Sequence, residues 1–139
     1  MRSRVHNGKE QIFCEWRHRW VRLTPEEWVR QQLLHRLVEQ LNYPASLIAV
    51  ETAIRVGEAA KRCDAVVYDR QMNPLVLIEC KAETVALTQK TLDQAITYNR
   101  KLQVPYLLLH NGPQTIFVQQ KGEELNYITA IPSFSELKQ

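Results

Sequence analysis

One short run, residues 75–81, constrains the fold more than any other part of the chain. Its sequence, LVLIECK, is apolar until it ends in Glu79-Cys80-Lys81. A continuous apolar run of this length is typical of a central strand that is buried on both faces. Because side chains alternate along a strand, Leu77, Glu79 and Lys81 share one face. Buried charges are costly unless they are paired or bind a metal, so the end of this strand is the first place to look for a site.

The flanking sequence predicts further strands that extend this one into a sheet. Residues 63–69 (CDAVVYD) form a predicted strand that turns through residues 70–74 into the central run. The start of the first strand then lies beside the end of the second, so that Asp64 and Glu79 are neighbours. Other predicted strands cover residues 47–56, 105–110, 115–119 and 125–128, with a hairpin turn at residues 57–60.

Two helices are predicted from their caps and their apolar spacing. Thr24-Pro25-Glu26-Glu27 is a helix start with a capping box, and it opens a helix over residues 25–41. Thr88 caps a second helix over residues 89–102, which links the central strand to the next one. The order of elements predicts an α/β fold of the α+β type, in which a mixed β-sheet is flanked by helices.

The composition is that of one cytoplasmic domain. The chain has 139 residues, which we interpret as a single domain over residues 1–139 with a flexible, polar segment at residues 1–10. Three cysteines with no paired spacing predict free thiols and a reducing compartment. No apolar run is long enough to span a bilayer. The net charge of +3 permits nucleic-acid binding without requiring it.

The carboxylates Asp64 and Glu79 suggest a site for a hard cation. Mg²⁺ takes oxygen ligands, usually one or two carboxylates with water and phosphate oxygens, and the Cys80 backbone carbonyl adds another candidate. Lys81 would lie beside the metal-bound water, where it would either orient that water or stabilise the charge that develops on the phosphate. This set predicts metal-assisted hydrolysis of a phosphodiester. The alternative is that Asp64 and Lys81 form a plain cross-strand ion pair and that Glu79 is a solvated strand end.

The second predicted helix adds polar candidates. Gln94 and Tyr98 are four residues apart and therefore lie on one helix face. Gln89 lies near the helix start, where free N–H groups favour phosphate. Lys61 and Arg62 precede Asp64 and either contact phosphate or keep a hairpin in water. The alternative is that Gln94 is a solvated helix residue and that Tyr98 is a half-buried aromatic residue.

The three tryptophans, Trp16, Trp20 and Trp28, are predicted to pack in the core or at an interface. Stacking on bases is the alternative.

Taken together, Asp64, Glu79-Cys80-Lys81 and Gln94-x-x-x-Tyr98 resemble the PD-(D/E)XK nucleases. The Gln-x-x-x-Tyr element is similar to that of the RecB-like branch. The chain most resembles stand-alone relatives of the N-terminal nuclease domain of type I restriction enzyme R subunits. The stretches that carry this resemblance are LTPEEWVRQ, LIAVE, KRCDAVVYDR, LIECKAE, LTQKTLDQAITYN and VPYLLLHNG, at residues 23–31, 47–51, 61–70, 77–83, 87–99 and 104–112.

The resemblance implies a restriction-endonuclease-like core and roles for individual residues. Asp64 and Glu79 would bind Mg²⁺, for which Mn²⁺ substitutes, and Lys81 would assist hydrolysis. Gln94 and Tyr98 would support the site or the DNA backbone. Such nucleases often add an acid from the first helix. For that role Glu27 is the candidate, with Glu39 and Glu51 as rivals and a plain capping role as the alternative.

The implied function is a metal-dependent (deoxyribo)nuclease, a hydrolase that acts on DNA in restriction-modification or repair. Its partners would be nucleic acid, a second copy of the chain, or other restriction or repair subunits, with no membrane. One departure matters, because an R subunit carries a motor region that this sequence does not contain. The alternatives are a non-catalytic nucleic-acid-binding module and a structural subunit that docks into a larger complex.

Overall fold

The structure is a computed structural model. It describes the backbone of residues 1–51, 53–56 and 59–138, and the side chains of residues 1–51 and 63–138. The helices are α1 (Pro25–Leu41) and α2 (Gln89–Leu102). The strands are β1 (Ser3–His6), β2 (Lys9–Cys14), β3 (Arg19–Arg22), β4 (Ile48–Val50), β5 (Ala53–Val56), β6 (Ala59–Arg62), β7 (Ala65–Tyr68), β8 (Pro74–Cys80), β9 (Tyr106–His110), β10 (Thr115–Lys121) and β11 (Glu124–Ile128).

A mixed six-stranded sheet forms the centre of the molecule. Its strand order is β11-β10-β9-β8-β7-β4. Only β8 and β9 run parallel, with α2 as the crossover between them, and the other described pairs are antiparallel. The apolar residues of β8 are at most 1% exposed, as expected for a strand covered on both faces. The predicted α/β class and the mixed sheet flanked by helices are confirmed.

Each face of this sheet carries its own hydrophobic layer. Leu33, Leu34 and Leu37 of α1 pack on the face that presents Ile78 and Leu108. The opposite face belongs to α2, which contributes Leu92 and Ala95 against Val66, Leu77, Leu107 and Leu109. Because side chains alternate along β8 and β9, one pair of strands supplies the centre of both layers.

Both helices have the predicted bounds and the predicted N-terminal caps. The Thr24 hydroxyl accepts a hydrogen bond from the Glu27 N–H at 3.0 Å, and Asn42 ends α1 in the left-handed region at φ 61°. Thr88 and Thr91 form the N-terminal capping interaction of α2, and Gln103 ends it at φ 56°. Free N–H and C=O groups at these termini are thereby satisfied by local side-chain and backbone partners.

The strand predicted over residues 47–56 is divided into β4 and β5. Glu51 lies between them with φ 56°, a left-handed conformation that breaks the ladder. β4 joins the central sheet, whereas β5 pairs with β6 in a separate two-stranded sheet. Part of the predicted turn at residues 57–60, residues 57 and 58, lies outside the described residues.

The N-terminus differs from the flexible segment that its polarity predicts. β1 and β2 form a hairpin, and β3 pairs with β2 to complete a three-stranded antiparallel sheet. The His6–Lys9 pair closes a two-residue loop, in which Asn7 and Gly8 have φ of 50° and 75°. Asn-Gly favours a type I′ turn because both residues tolerate positive φ. This local signal outweighs the polarity of the segment.

Within the part of the chain that the structure describes, neither α1 nor α2 is long and apolar enough to cross a bilayer.

Candidate functional site

Asp64 and Glu79 are brought together by the pairing of β7 with β8. Ala65 lies opposite Ile78 in the antiparallel register, so the residues one step further out, Asp64 and Glu79, face each other at the end of the ladder. The Asp64 backbone carbonyl accepts a 2.8 Å hydrogen bond from the Glu51 N–H. Asp64 is therefore fixed between β4 and β8, where the sequence places it.

A polar pocket opens at this end of the sheet. α1 and α2 both contribute side chains to it, together with the residues just before β7 and the end of β8. The residues that line it are Glu26, Arg30, Glu51, Cys63, Asp64, Glu79, Lys81 and Tyr98. Two of the predicted supporting residues, Lys81 and Tyr98, thus share one pocket with both predicted carboxylates.

Both carboxylate oxygens of Asp64 already have partners. Its Oδ1 accepts from Arg30 Nε at 3.0 Å and lies 2.8 Å from a terminal guanidinium nitrogen. Its Oδ2 accepts a 2.8 Å hydrogen bond from the Cys80 N–H. A buried carboxylate needs this much compensation because burial penalises its charged form. Arg30 is thus the counter-ion of Asp64.

Glu79 has less compensation than Asp64. Its Oε1 is buried and has no hydrogen-bond partner. Burial, followed by the neighbouring Asp64 carboxylate, raises the pKa of Glu79 to about 8. Burial and Asp64 also raise the pKa of Glu26. The pocket therefore concentrates more carboxylates than its cations neutralise, and Glu79 needs a proton or a cation.

The donor set fits a hard cation. Glu79 offers an unpartnered oxygen next to Asp64. The Cys80 carbonyl points to the same side of β8 as the Cys80 N–H that reaches Asp64, because the two groups of one residue share a direction in a strand. Among residues with described side chains, no three His, Cys, Asp or Glu groups converge as a ready metal cage. A cation would be held by two carboxylates with backbone, water and substrate oxygens, which suits Mg²⁺.

The first-helix acid in the pocket is Glu26 and not the predicted Glu27. Glu27 is buried among Arg17, Arg30 and Gln31, to which it makes ion pairs or hydrogen bonds of 2.7 to 3.2 Å. The rotation of α1 against the sheet decides which of two adjacent acids faces the site. The sequence did contain one indication that Glu26 faces the site. Arg30 follows Glu26 by four residues and is a charged residue within the apolar helix face.

The two alternative acids, Glu39 and Glu51, lie in different environments. Glu39 is exposed and lies 3.5 Å from His35. Glu51 lines the pocket and makes ion pairs of 3.2 Å with Arg17 and 3.4 Å with Arg30. Sequence reasoning missed the two arginines, which stand far apart in the chain and meet only in the folded molecule.

The remaining predicted residues lie away from the pocket lining or outside the described side chains. Gln94 is exposed one turn before Tyr98 on α2, and it does not line the pocket. Gln89 is exposed at the first residue of α2, where its side chain donates to Asp93 at 2.9 Å. The side chains of Lys61 and Arg62 lie outside the described residues.

The fold has relatives among solved structures. A fragment assigned as an HsdR subunit of a type I restriction enzyme from Vibrio vulnificus YJ016 superposes with a TM-score of 0.60 at 18% identity over 81% of this chain. This chain covers only 24% of that chain. A DUF820 protein from Anabaena variabilis ATCC 29413, assigned as a nuclease, superposes with a TM-score of 0.53 at 11% identity, over 91% of this chain and 84% of its own.

The sequence comparison identifies the family directly. No curated protein matches the chain at a significant level. Residues 25–132 match the family described as type I restriction enzyme R protein N terminus (HSDR_N), and this stretch contains both helices and the whole candidate pocket. The structural neighbours share the mixed α/β fold of this chain. The chain therefore belongs to the family of the type I restriction enzyme R protein N terminus.

Proposed function

We propose that this protein is a divalent-metal-dependent nuclease that hydrolyses the phosphodiester bonds of DNA in a restriction or repair context. The observation that carries the proposal is the unpartnered buried oxygen of Glu79 beside Asp64, at the end of the central strand. A structural carboxylate with no partner is costly, whereas a metal ligand needs an open lone pair. Family membership and the nuclease-like fold support the same reading.

Asp64, Glu79 and the Cys80 carbonyl would hold Mg²⁺, with Glu26 as the first-helix acid. The cation would supply Lewis-acid polarisation of a phosphodiester bond. Lys81 shares the pocket and would stabilise the negative charge that develops on the phosphate. Tyr98 would orient the phosphate through its hydroxyl, with Gln94 and Gln89 nearer the DNA that leaves the pocket. Mn²⁺ would substitute for Mg²⁺.

Arg30 has to give up part of its contact with Asp64 when a cation binds. Its guanidinium is also within 3.2 Å of Glu27 and 3.4 Å of Glu51. These carboxylates can retain it after it releases Asp64 Oδ1, so no buried cation is left without a partner. A phosphate of the substrate would be a further acceptor for the released donors.

The wider setting is part of the same proposal. The chain, as one domain over residues 1–139, would act in the cytoplasm on DNA. It would act as a homodimer or together with restriction or repair subunits. The neighbour from Vibrio vulnificus is about four times as long as the matched region, and its remaining parts have no counterpart in this sequence.

Metal binding and cleavage test the proposal together. Calorimetry should detect Mn²⁺ binding by the wild type that Asp64→Asn or Glu79→Gln abolishes. Plasmid cleavage with Mg²⁺ should fall at least about 100-fold in Lys81→Ala, the usual effect of removing one charge-stabilising donor. Lys138→Ala is the matched control, because Lys138 also follows a glutamate in an E-x-K sequence. Unchanged cleavage in Lys81→Ala would contradict the assigned role.

The ion pair between Arg30 and Asp64 favours a second candidate, a non-catalytic nucleic-acid-binding or partner-docking module on the same fold. In such a module Arg30 would be a permanent substitute for the cation. DNA binding would then survive Asp64→Asn and Glu79→Gln, and the wild type would neither bind Mn²⁺ nor cleave DNA in its presence. That combination would replace the nuclease proposal.

A further inference from the structure

The net positive charge of the chain comes from residues 1–23, which contain the three-stranded N-terminal sheet. Residues 1–23 contain six Lys or Arg and two Glu, a net charge of +4, whereas the chain as a whole carries +3. Residues 24–139 therefore have a net charge of −1. The sheet precedes residues 25–132, which match the family. The basic character of the protein thus belongs to an element that lies before the family match.

The strand register places four of these six cations on one face. Arg4 lies opposite Gln11, and Gln11 lies opposite Arg22, so the three side chains form one row across the sheet. His6 and Lys9 form the next row toward the hairpin turn. Because alternate residues share a face, Arg2 precedes Arg4 on the same side. Arg2, Arg4, Lys9 and Arg22 are all exposed, and no acidic residue occurs on this face.

Aromatic rings lie between these cations. Phe13 and Trp20 are opposite each other in the register and pack edge to face at 5.5 Å. The Arg2 guanidinium lies 4.1 Å from the centre of the Phe13 ring, and that of Arg4 lies 4.3 Å from the centre of the Trp20 ring. Stacking on a ring orders an arginine without neutralising it. The charges are therefore held in place and remain available to an anionic partner.

The opposite face of the sheet fixes it to the body. Ile12 and Cys14 alternate with the basic row and are 0% exposed. Trp16, in the turn before β3, donates from Nε1 to the Ala45 carbonyl at 3.2 Å. Arg17 of the same turn pairs with Glu27 at 2.7 Å and with Glu51, which lines the candidate pocket, at 3.2 Å. The basic face is therefore presented outward by a sheet that is tied to the pocket wall.

We propose that this basic face, formed by Arg2, Arg4, Lys9 and Arg22 around Phe13 and Trp20, is a binding surface for the phosphate backbone of DNA. Guanidinium groups that are ordered on one face of a sheet complement the charge of a polyanion, and affinity for phosphates comes from such sequence-independent contacts. The choice of DNA as the polyanion rests on the proposed function. The surface itself extends that function, since it adds a contact outside the pocket.

DNA binding without metal tests the surface separately from the nuclease site. Fluorescence anisotropy would follow a labelled duplex and a labelled single strand of mixed sequence, first with EDTA and then with Ca²⁺. The face variant is Arg4→Gln/Lys9→Gln/Arg22→Gln. The control is Arg100→Gln/Lys101→Gln/Lys121→Gln, which removes equal charge from exposed cations elsewhere. Thermal unfolding would establish that both variants fold.

The face variant should bind at least about 10-fold more weakly than the wild type, and the slope of log K against log salt should fall by about 2 to 3 for duplex DNA. The control should change affinity less than about twofold, and Arg4→Lys/Arg22→Lys should retain most of the binding. A preference for the single strand that Trp20→Ala removes would assign base stacking to the ring as well. Equal losses in the face variant and the control would overturn the proposal, as would no binding by the wild type in either buffer.

Asp64→Asn separates this proposal from the proposed function. It should abolish cleavage and leave metal-free DNA binding within about twofold of the wild type, because the basic face does not involve the pocket. If the chain binds DNA through this face and never cleaves it, the nuclease proposal fails while the surface stands. If it cleaves DNA and the face variant binds normally, the surface fails alone.

Discussion

At the scale of single residues, the pocket places two carboxyl groups in opposite situations. Asp64 is stabilised as an anion by Arg30 and by the Cys80 N–H. Glu79, its neighbour, has a buried oxygen with no partner and a raised pKa. Two adjacent acids placed in this way can share one cation, because the positive charge of a bound cation would favour the loss of the proton from Glu79.

The raised pKa of Glu79 predicts how metal-free stability depends on pH. The value of about 8 lies above the ordinary 4.5, so the folded state binds the proton more tightly than the unfolded state does. The associated stability is complete below about pH 4.5 and is lost as the pH rises through about 8. Between about pH 5 and pH 9, the wild type should lose at least about 1 kcal/mol relative to Glu79→Gln.

Urea unfolding in EDTA at the two pH values measures this difference, because the comparison with Glu79→Gln cancels the titration of groups that do not interact with Glu79. The solvent-exposed Glu124→Gln is the control, and its stability relative to the wild type should not change with pH. A constant difference between Glu79→Gln and the wild type would show that Glu79 is charged in the folded protein throughout.

Arg30 should influence stability and metal affinity in opposite directions. Arg30→Met leaves Asp64 and Glu27 buried without this counter-ion, so metal-free stability should fall by about 3 kcal/mol. The same change removes the cation that competes for Asp64 Oδ1, and Mn²⁺ should therefore bind more tightly. Urea unfolding and calorimetry measure the two effects, with Arg36→Met on the exposed side of α1 as the control. Weaker Mn²⁺ binding in Arg30→Met would show that Arg30 supports the metal site.

At the scale of elements, the helices could be predicted from sequence to their terminal residues. Their limits depend on caps such as Thr24 and Thr88, whose hydrogen bonds reach only three residues along the chain. The break between β4 and β5 could not be predicted, because Glu51 adopts a left-handed conformation that its residue type does not favour. The Asn7-Gly8 sequence is itself typical of a hairpin turn. The hairpin was not predicted because the residues on either side of the turn are polar.

Part of the candidate pocket could be predicted from local sequence patterns, and part depends on tertiary packing. Strand alternation and one hairpin were enough to pair Asp64 with Glu79 and to add Lys81. The choice of Glu26 over Glu27 depends on how α1 is rotated against the sheet, which adjacent residues in a sequence do not reveal. Arg30 reaches Asp64 across 34 residues of chain, a contact that only packing creates.

The N-cap of α1 offers a direct test of how this element supports the pocket. Thr24→Ala removes the hydroxyl that accepts the Glu27 N–H, so the free energy of unfolding should fall by about 1 kcal/mol. Thr24→Ser keeps an oxygen in place and should restore most of that loss. Thermal and urea unfolding of both variants provide the measurement. Equal losses in the two variants would indicate that the Thr24 methyl group, and not the cap, contributes the stability.

At the scale of the whole molecule, one sheet couples two hydrophobic layers. Leu107 and Leu108 are adjacent on β9, and both are 0% exposed, yet they face different layers. Neither layer can lose its packing without disturbing the strand that it shares with the other. The central sheet and both helices should therefore unfold as one cooperative unit.

Leu107→Ala and Leu108→Ala test this coupling from opposite faces. Each creates a cavity in a full layer and should cost about 2 to 5 kcal/mol. Both variants should retain a single urea transition with an unchanged slope, whether it is followed by circular dichroism or by tryptophan fluorescence. The exposed Val85→Ala provides the control. Two separate transitions in either variant would show that the layers unfold independently.

The three buried thiols give the molecule a set of internal reporters. Cys14 lies on the inner face of the N-terminal sheet, Cys80 in the layer under α1 and Cys63 in the layer under α2, and all three are at most 2% exposed. A thiol in such a place reacts with an alkylating reagent only after its own layer opens. The alkylation rates of the three cysteines, read by peptide mass, would therefore order the layers by the free energy of local opening in the unmodified protein.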